Sequence, residues 1–126
     1  MAYSANIVIT ELGGRDLLIT ITEEDAAAGS EATITGLPTK GLVVAQMADL
    51  TSGSATTIDP RLTTVSASTL SVQTVVENGT AAATVSNLAD PAVPYYSSTG
   101  TLYHKSVVSG DSDNDVTTVY IIKAGW

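Results

Sequence analysis

The segment from Val116 to Lys123 limits the possible folds more than any other part of the chain. In extended form it sets Val116, Thr118, Tyr120 and Ile122 on one side and Thr117, Val119, Ile121 and Lys123 on the other. β-Branched and aromatic residues on both sides predict a strand covered on both faces. Chain ends fray unless something ties them down, so a segment this apolar is expected inside a sheet. Trp126, the only tryptophan, would then lie against a core or a neighbouring subunit.

The same alternation recurs along the chain. Tyr3, Ala5, Ile7 and Ile9 form one side of a first strand ending near Glu11. Gly13 and Gly14 supply the positive φ angles of a tight reversal, and Leu17, Ile19 and Ile21 make the matching face of a hairpin. Thr22 to Gly29 reads as a helix start, with Thr22 as N-cap and Glu23, Glu24 and Asp25 in the first turn. Gly29 would stop it after one turn. Ser30 to Thr35 predicts a short strand with Ala32 and Ile34 inward, and Gly36 to Gly41 a turn. Gly41 to Leu50 fits a strand or a short helix, because periodicity cannot separate the two over so few residues.

Thr51 to Arg61 reads as a polar loop with almost nothing to bury. Thr63 to Glu77 returns to strand character at Leu70, Val72, Thr74 and Val76, and Asn78-Gly79 signals a type I′ turn into a return strand from Thr80 to Ser86. Pro91 and Pro94 argue against a central strand, so Asn87 to Gly100 is expected to be an irregular connection. Thr101 to Val108 reads as a further strand. The expected fold is mainly β: a single domain over residues 1–126, an antiparallel β-sandwich or partly closed β-barrel of about eight short strands with at most one short helix. Residues 1–9 are a candidate extended arm that could add a strand to a partner's sheet edge.

A formal charge of -8 with five scattered cations argues against nucleic acid, whose phosphates attract clustered Lys and Arg. The absence of cysteine excludes disulfides and thiolate metal sites. The first residues lack the basic start and apolar run of a signal peptide, and no apolar stretch reaches the ~18 residues that span a bilayer. A soluble protein made in a cytoplasm, with no membrane partner, is the expectation. With no Phe and few aromatics, the core must be built of small aliphatic side chains, and packing between subunits would add to its stability.

Candidate sites are few. Asp111, Asp113 and Asp115 alternate as carboxylates do in a calcium loop, but Val116 stands where that loop needs glycine and Ile122 where it needs a bidentate Glu. A solvated turn explains them without a metal, and no cofactor is expected. His104 is the only histidine. It alternates with Leu102 and Ser106, as a half-buried strand residue would, and no Gly-x-Ser-x-Gly turn or cysteine nucleophile accompanies it. Glu23, Glu24 and Asp25 read as a charged helix cap. Asn78-Gly79-Thr80 matches a glycosylation sequon, which the hairpin turn already explains. Tyr95 and Tyr96 beside Pro94, with Tyr3, Ile7 and Trp126, are the candidates for an interface; the aromatic ones could equally fill a small core.

Three stretches carry a resemblance: Thr20 to Ile34, Val75 to Thr84 and Ser112 to Trp126. Their phrasing resembles small virion proteins of tailed bacteriophages, most nearly the capsid decoration, or cement, proteins. The resemblance implies a non-enzymatic structural protein on the capsid exterior, made in the host cytoplasm, that touches the major capsid protein and other copies of itself, often as a homotrimer. It equally admits a head–tail or tail component. A calcium-dependent β-sandwich adhesion module is the alternative that rests on Asp111, Asp113 and Asp115.

Overall fold

A computed structural model describes residues 3–26, 30–53, 55, 58–64, 66, 84–108 and 113–124. Among them are eight strands: β1 (Ser4–Gly13), β2 (Asp16–Ala26), β3 (Glu31–Ile34), β4 (Lys40–Ser52), β5 (Ile58–Thr63), β6 (Thr84–Tyr96), β7 (Leu102–Val108) and β8 (Asn114–Ala124). They form a five-stranded sheet in the order β1-β2-β8-β4-β6 and a three-stranded sheet in the order β3-β7-β5, with every pairing antiparallel. The two sheets pack face to face, and neither closes into a barrel. Of the two expected architectures, the sandwich is the one formed.

Alternation explains most of this arrangement. β8 is inserted between β2 and β4. Its inward residues Val116, Thr118, Tyr120 and Ile122 are fully buried, while Thr117, Val119 and Ile121 are only half-buried. The strand is thus sealed on one face rather than both. Ile19 and Ile21 of β2, Val43 of β4 and Ile122 of β8 meet Ala32, Ile34, Leu62 and Leu102 of the smaller sheet in one apolar cluster. Ala26, Ala48 and Val116 meet Ile58 and Val108 in a second. Each large aliphatic side chain so buried contributes roughly 1.5–3 kcal/mol.

Three expectations are corrected and one open alternative is resolved. Thr22 does not start a helix: β2 continues to Ala26, with Thr22 and Glu23 still paired to Thr117 and Val116 of β8. A bulge follows before Ala26, and Asp25 takes a positive φ of 56° there. Carboxylate-rich composition resembled a cap, but the ladder to β8 decides the conformation. Gly41 to Leu50 is strand, and its ambiguity has a cause: a bulge between Val43 and Ala45 reverses the alternation. Gly41 and Val43 point inward before it, Gln46 and Ala48 after it, so no single period fits the whole segment.

Thr51 to Arg61 is not all polar loop, since β5 begins at Ile58 and buries Ile58 and Leu62 completely. The prolines, finally, do not prevent strand structure. β6 runs through Pro91 and Pro94, and β5 through Pro60, because both strands are sheet borders with one neighbour each. Pairing of β6 to β4 skips from Leu88 to Val93 opposite Val44, which leaves Pro91 outside the ladder.

The β1–β2 hairpin forms as expected, with Gly13 and Gly14 at φ 102° and 59°. Residues 4–9 belong to the chain's own sheet through β2, with Ser4 opposite Glu24, and do not stand off it as an arm. The expected strand at Leu70 to Val76 and the Asn78-Gly79 turn lie outside the described residues.

Candidate functional site

Between the two apolar clusters lies a layer of polar side chains, one or more from each of four strands. The alternation that points Ile19 and Ile21 inward also points Glu23 inward from β2. On β7, His104 and Ser106 follow Leu102 on the buried face; on β8, Thr118 and Tyr120 lie between Val116 and Ile122. The β4 bulge brings Gln46 to the same level, opposite Tyr120. All of these side chains are fully buried.

Hydrogen bonds join them in a defined sequence. Gln46 Nε2 lies 3.2 Å from the Pro60 carbonyl oxygen, which can only accept, and 3.2 Å from the Tyr120 hydroxyl. The amide therefore donates to both. Having accepted that bond, the Tyr120 hydroxyl turns its own proton to His104 Nδ1, 2.6 Å away. Nδ1 is thus the unprotonated nitrogen, and Nε2 carries the hydrogen, directed at Glu23 Oε1 at 3.1 Å with Ser106 Oγ also at 3.1 Å. Ser106 Oγ donates to Glu23 Oε1 at 2.7 Å and the Tyr3 hydroxyl to Oε2 at 2.7 Å. The rings of His104 and Tyr120 meet edge to face, centroids 5.4 Å apart.

The carboxylate of Glu23 consequently faces three donors. Burial alone would raise its pKa, but the bonds from His104, Tyr3 and Ser106 outweigh that and hold it below the usual carboxylate range. Burial pushes the Tyr120 hydroxyl up, and burial together with the adjacent Glu23 does the same to Tyr3, so both stay protonated as donors. Two polar atoms of the layer, Gln46 Oε1 and Thr118 Oγ1, are buried with no hydrogen-bond partner among the described residues.

Serine, histidine and a carboxylate in contact have the composition of a hydrolytic triad, but not its geometry. In a triad the nucleophile and the acid sit on opposite nitrogens of the imidazole. Here Ser106 and Glu23 share Nε2, and Tyr120 occupies Nδ1. All three side chains are also sealed between the sheets. The layer instead links β2, β4, β7 and β8 through buried hydrogen bonds.

The expected site residues fall in different places. Asp111 and Trp126 lie outside the described residues. Asp113 is exposed, and Asp115 Oδ1 accepts a bond from the Asp25 backbone N–H at 3.4 Å. Asn114, between them, is buried, its side chain bonding the Ala26 carbonyl and the Ala55 N–H. Among the described residues no group of three His, Asp or Glu side chains is arranged to hold a metal. Tyr3 is half-buried on Glu23, and Ile7 packs against the edge of the first apolar cluster. Tyr95 takes the core alternative: it is buried and its hydroxyl donates to the Pro38 carbonyl at 2.9 Å. Its neighbour Tyr96 is 62% exposed. His104, expected to be half-buried and alone, is fully buried with three partners, Tyr120, Glu23 and Ser106. Glu23, expected to be a solvated cap, is its closest charged neighbour. The available signal was phase, since Glu23 stands two residues after Ile21.

A cleft of about 600 Å³ lies at the β1–β2 turn, lined among others by Glu11, Arg15, Leu37 and Lys40. The other outward feature is apolar: Val8, Ile9 and Leu12 of β1 and Met47 of β4 are exposed along with Tyr96.

No protein-family model matches the chain, and no curated protein matches it. Among solved structures it is similar to a chain of the cyanophage Pam1 capsid asymmetric unit, with a TM-score of 0.42 and 15% sequence identity over 96% of this chain and 86% of that one.

Proposed function

We propose that this chain is a structural virion protein that binds the outside of a phage capsid and stabilises it by bridging subunits of the major capsid protein. The resemblance of its three stretches to phage decoration proteins motivates the reading. One observation carries it: the groups a reaction would need, Glu23, His104 and Ser106, are sealed inside, while large apolar side chains lie exposed on β1 and at Tyr96. Such a molecule acts by contact rather than by chemistry. Each bound copy raises the free energy of separating the capsid subunits it spans, because it binds the assembled state and not the separated one. The protein would be made in the host cytoplasm and added to the shell there. The resemblance implies trimers.

The test is co-sedimentation of the purified protein with expanded capsids that lack it. Binding at a fixed ratio to the major capsid protein, with a higher temperature of shell disruption, is the expected result. A protein that ignores the shells and is found by gold labelling at the head–tail junction or on the tail would replace this reading with a connector or tail role.

A further inference from the structure

Among the described residues four strands border the two sheets: β1 and β6 in the larger, β3 and β5 in the smaller. An open border is a template for another chain, and folds normally blunt it with prolines, charges, bulges or brevity. Three of these borders carry such a device. β6 has Pro91, Pro94 and the interrupted pairing opposite Val44. β5 has Pro60 and Arg61 within six residues. β3 is four residues long and begins with Glu31.

β1 carries none of them over most of its length. It has ten residues, no proline, no cation and a single charge, Glu11, with an irregularity only between Glu11 and Gly13. It is exposed almost throughout, including Val8 at 49%, Ile9 at 38% and Leu12 at 50%. In a chain of net charge -8, this is a border along which two copies can approach without opposing like charges.

We propose that β1 joins two copies of this chain edge to edge, antiparallel, so that their five-stranded sheets become one continuous sheet. The sequence of β1 selects the register. Directly opposed residues of an antiparallel pair lie on the same face, and a two-fold axis at Val8 sets Ile7 of one copy against Ile9 of the other, twice. The same axis sets Asn6 against Thr10, Ser4 against Leu12, and Glu11 against Ala5, so all residues from Ser4 to Leu12 are paired. An axis at Ile9 would set Ile7 against Glu11, and an axis at Ile7 would set Ile9 against Ala5 and shorten the ladder. Parallel pairing in register would stack Glu11 on Glu11.

Sedimentation velocity of the full chain over a range of concentrations tests the contact. A dimer is expected, and Val8→Lys, which opposes two ammonium groups at the axis, should raise its dissociation constant about tenfold or more. Asn6→Lys with Thr10→Glu sets opposite charges across the axis and should keep the dimer, whereas Asn6→Lys with Thr10→Lys should lose it. These positions are exposed, so the circular dichroism spectrum of each variant should match the parent and separate lost pairing from lost folding. A monomer at every concentration, a trimer, or a dimer indifferent to these charges would overturn the proposal. The outcome does not depend on capsid binding, which co-sedimentation measures separately.

Discussion

The Tyr120 hydroxyl lies 2.6 Å from His104 Nδ1 and gives its proton to that nitrogen, because Gln46 already donates to the same hydroxyl. The tautomer of the only histidine is thereby fixed from two strands away. Nitrogen NMR of the neutral imidazole should find the His104 hydrogen on Nε2 and none on Nδ1. Tyr120→Phe removes both bonds while keeping the ring, and should cost about 1–3 kcal/mol in chemical denaturation. An unchanged stability would mean that the hydroxyl does not join the layer.

Glu23 makes the fold sensitive to acid. Its folded pKa is lowered, whereas the unfolded chain titrates near the ordinary value of about 4.3. As the pH falls, the unfolded state takes up the proton first. The stabilisation is therefore complete above that ordinary value and is lost as the pH drops through the lower folded one. Glu23→Gln should be the less stable protein at pH 7 by about 1.5–3 kcal/mol. The gap should narrow in acid, as urea unfolding measured at successive pH values would reveal.

Thr118 offers the opposite sign. Its hydroxyl is buried and unpartnered among the described residues, so it carries a desolvation cost with no bond to offset it. Thr118→Val keeps the shape and removes the polar atom, and should stabilise the protein by about 1 kcal/mol. A loss of stability in the melting curve would reveal a partner for that hydroxyl.

Gly41 is required by contact rather than by backbone angle. A Cβ there would stand 2.6 Å from the Tyr95 ring, closer than packed carbons tolerate. Gly41→Ala should destabilise by about 1–3 kcal/mol. In a Tyr95→Ala background the same change should cost little, a non-additivity that a double-mutant cycle measures directly.

Much of this fold was legible in the chain itself. The hairpin at Gly13 and Gly14, the inward Ala32 and Ile34 and the two faces of β8 follow from turn chemistry and a period of two. The polar layer was not, and the reasons are physical. Glu23 sits in a run of carboxylates that suits a helix start as well as a strand end, so the phase that turns it inward counts only once the strand is known, and the donors that compensate it are the distant Tyr3, His104 and Ser106. The partners of His104 lie 81 residues away at Glu23 and 16 away at Tyr120, beyond any local pattern. In β4 the bulge at Val44 interrupts the one signal that identifies strands. Pro91 and Pro94 misled for a related reason, since whether a strand is central or a border depends on sheet order, which local sequence does not encode.

The polar layer has a consequence for how the two sheets find one another. On either side of it the facing side chains are Val, Ile, Leu and Ala, which tolerate exchange of one for another. If β7 slid by two residues against the larger sheet, nearly every aliphatic group would meet another aliphatic group. Glu23 would keep the Tyr3 bond but meet Val108 or Leu102 in place of one of its two β7 donors, a buried charge with poorer compensation. Aliphatic packing alone leaves the neighbouring alignments close in energy, and the buried carboxylate with its donors helps to separate them, so the polar layer acts as an alignment key between the two sheets.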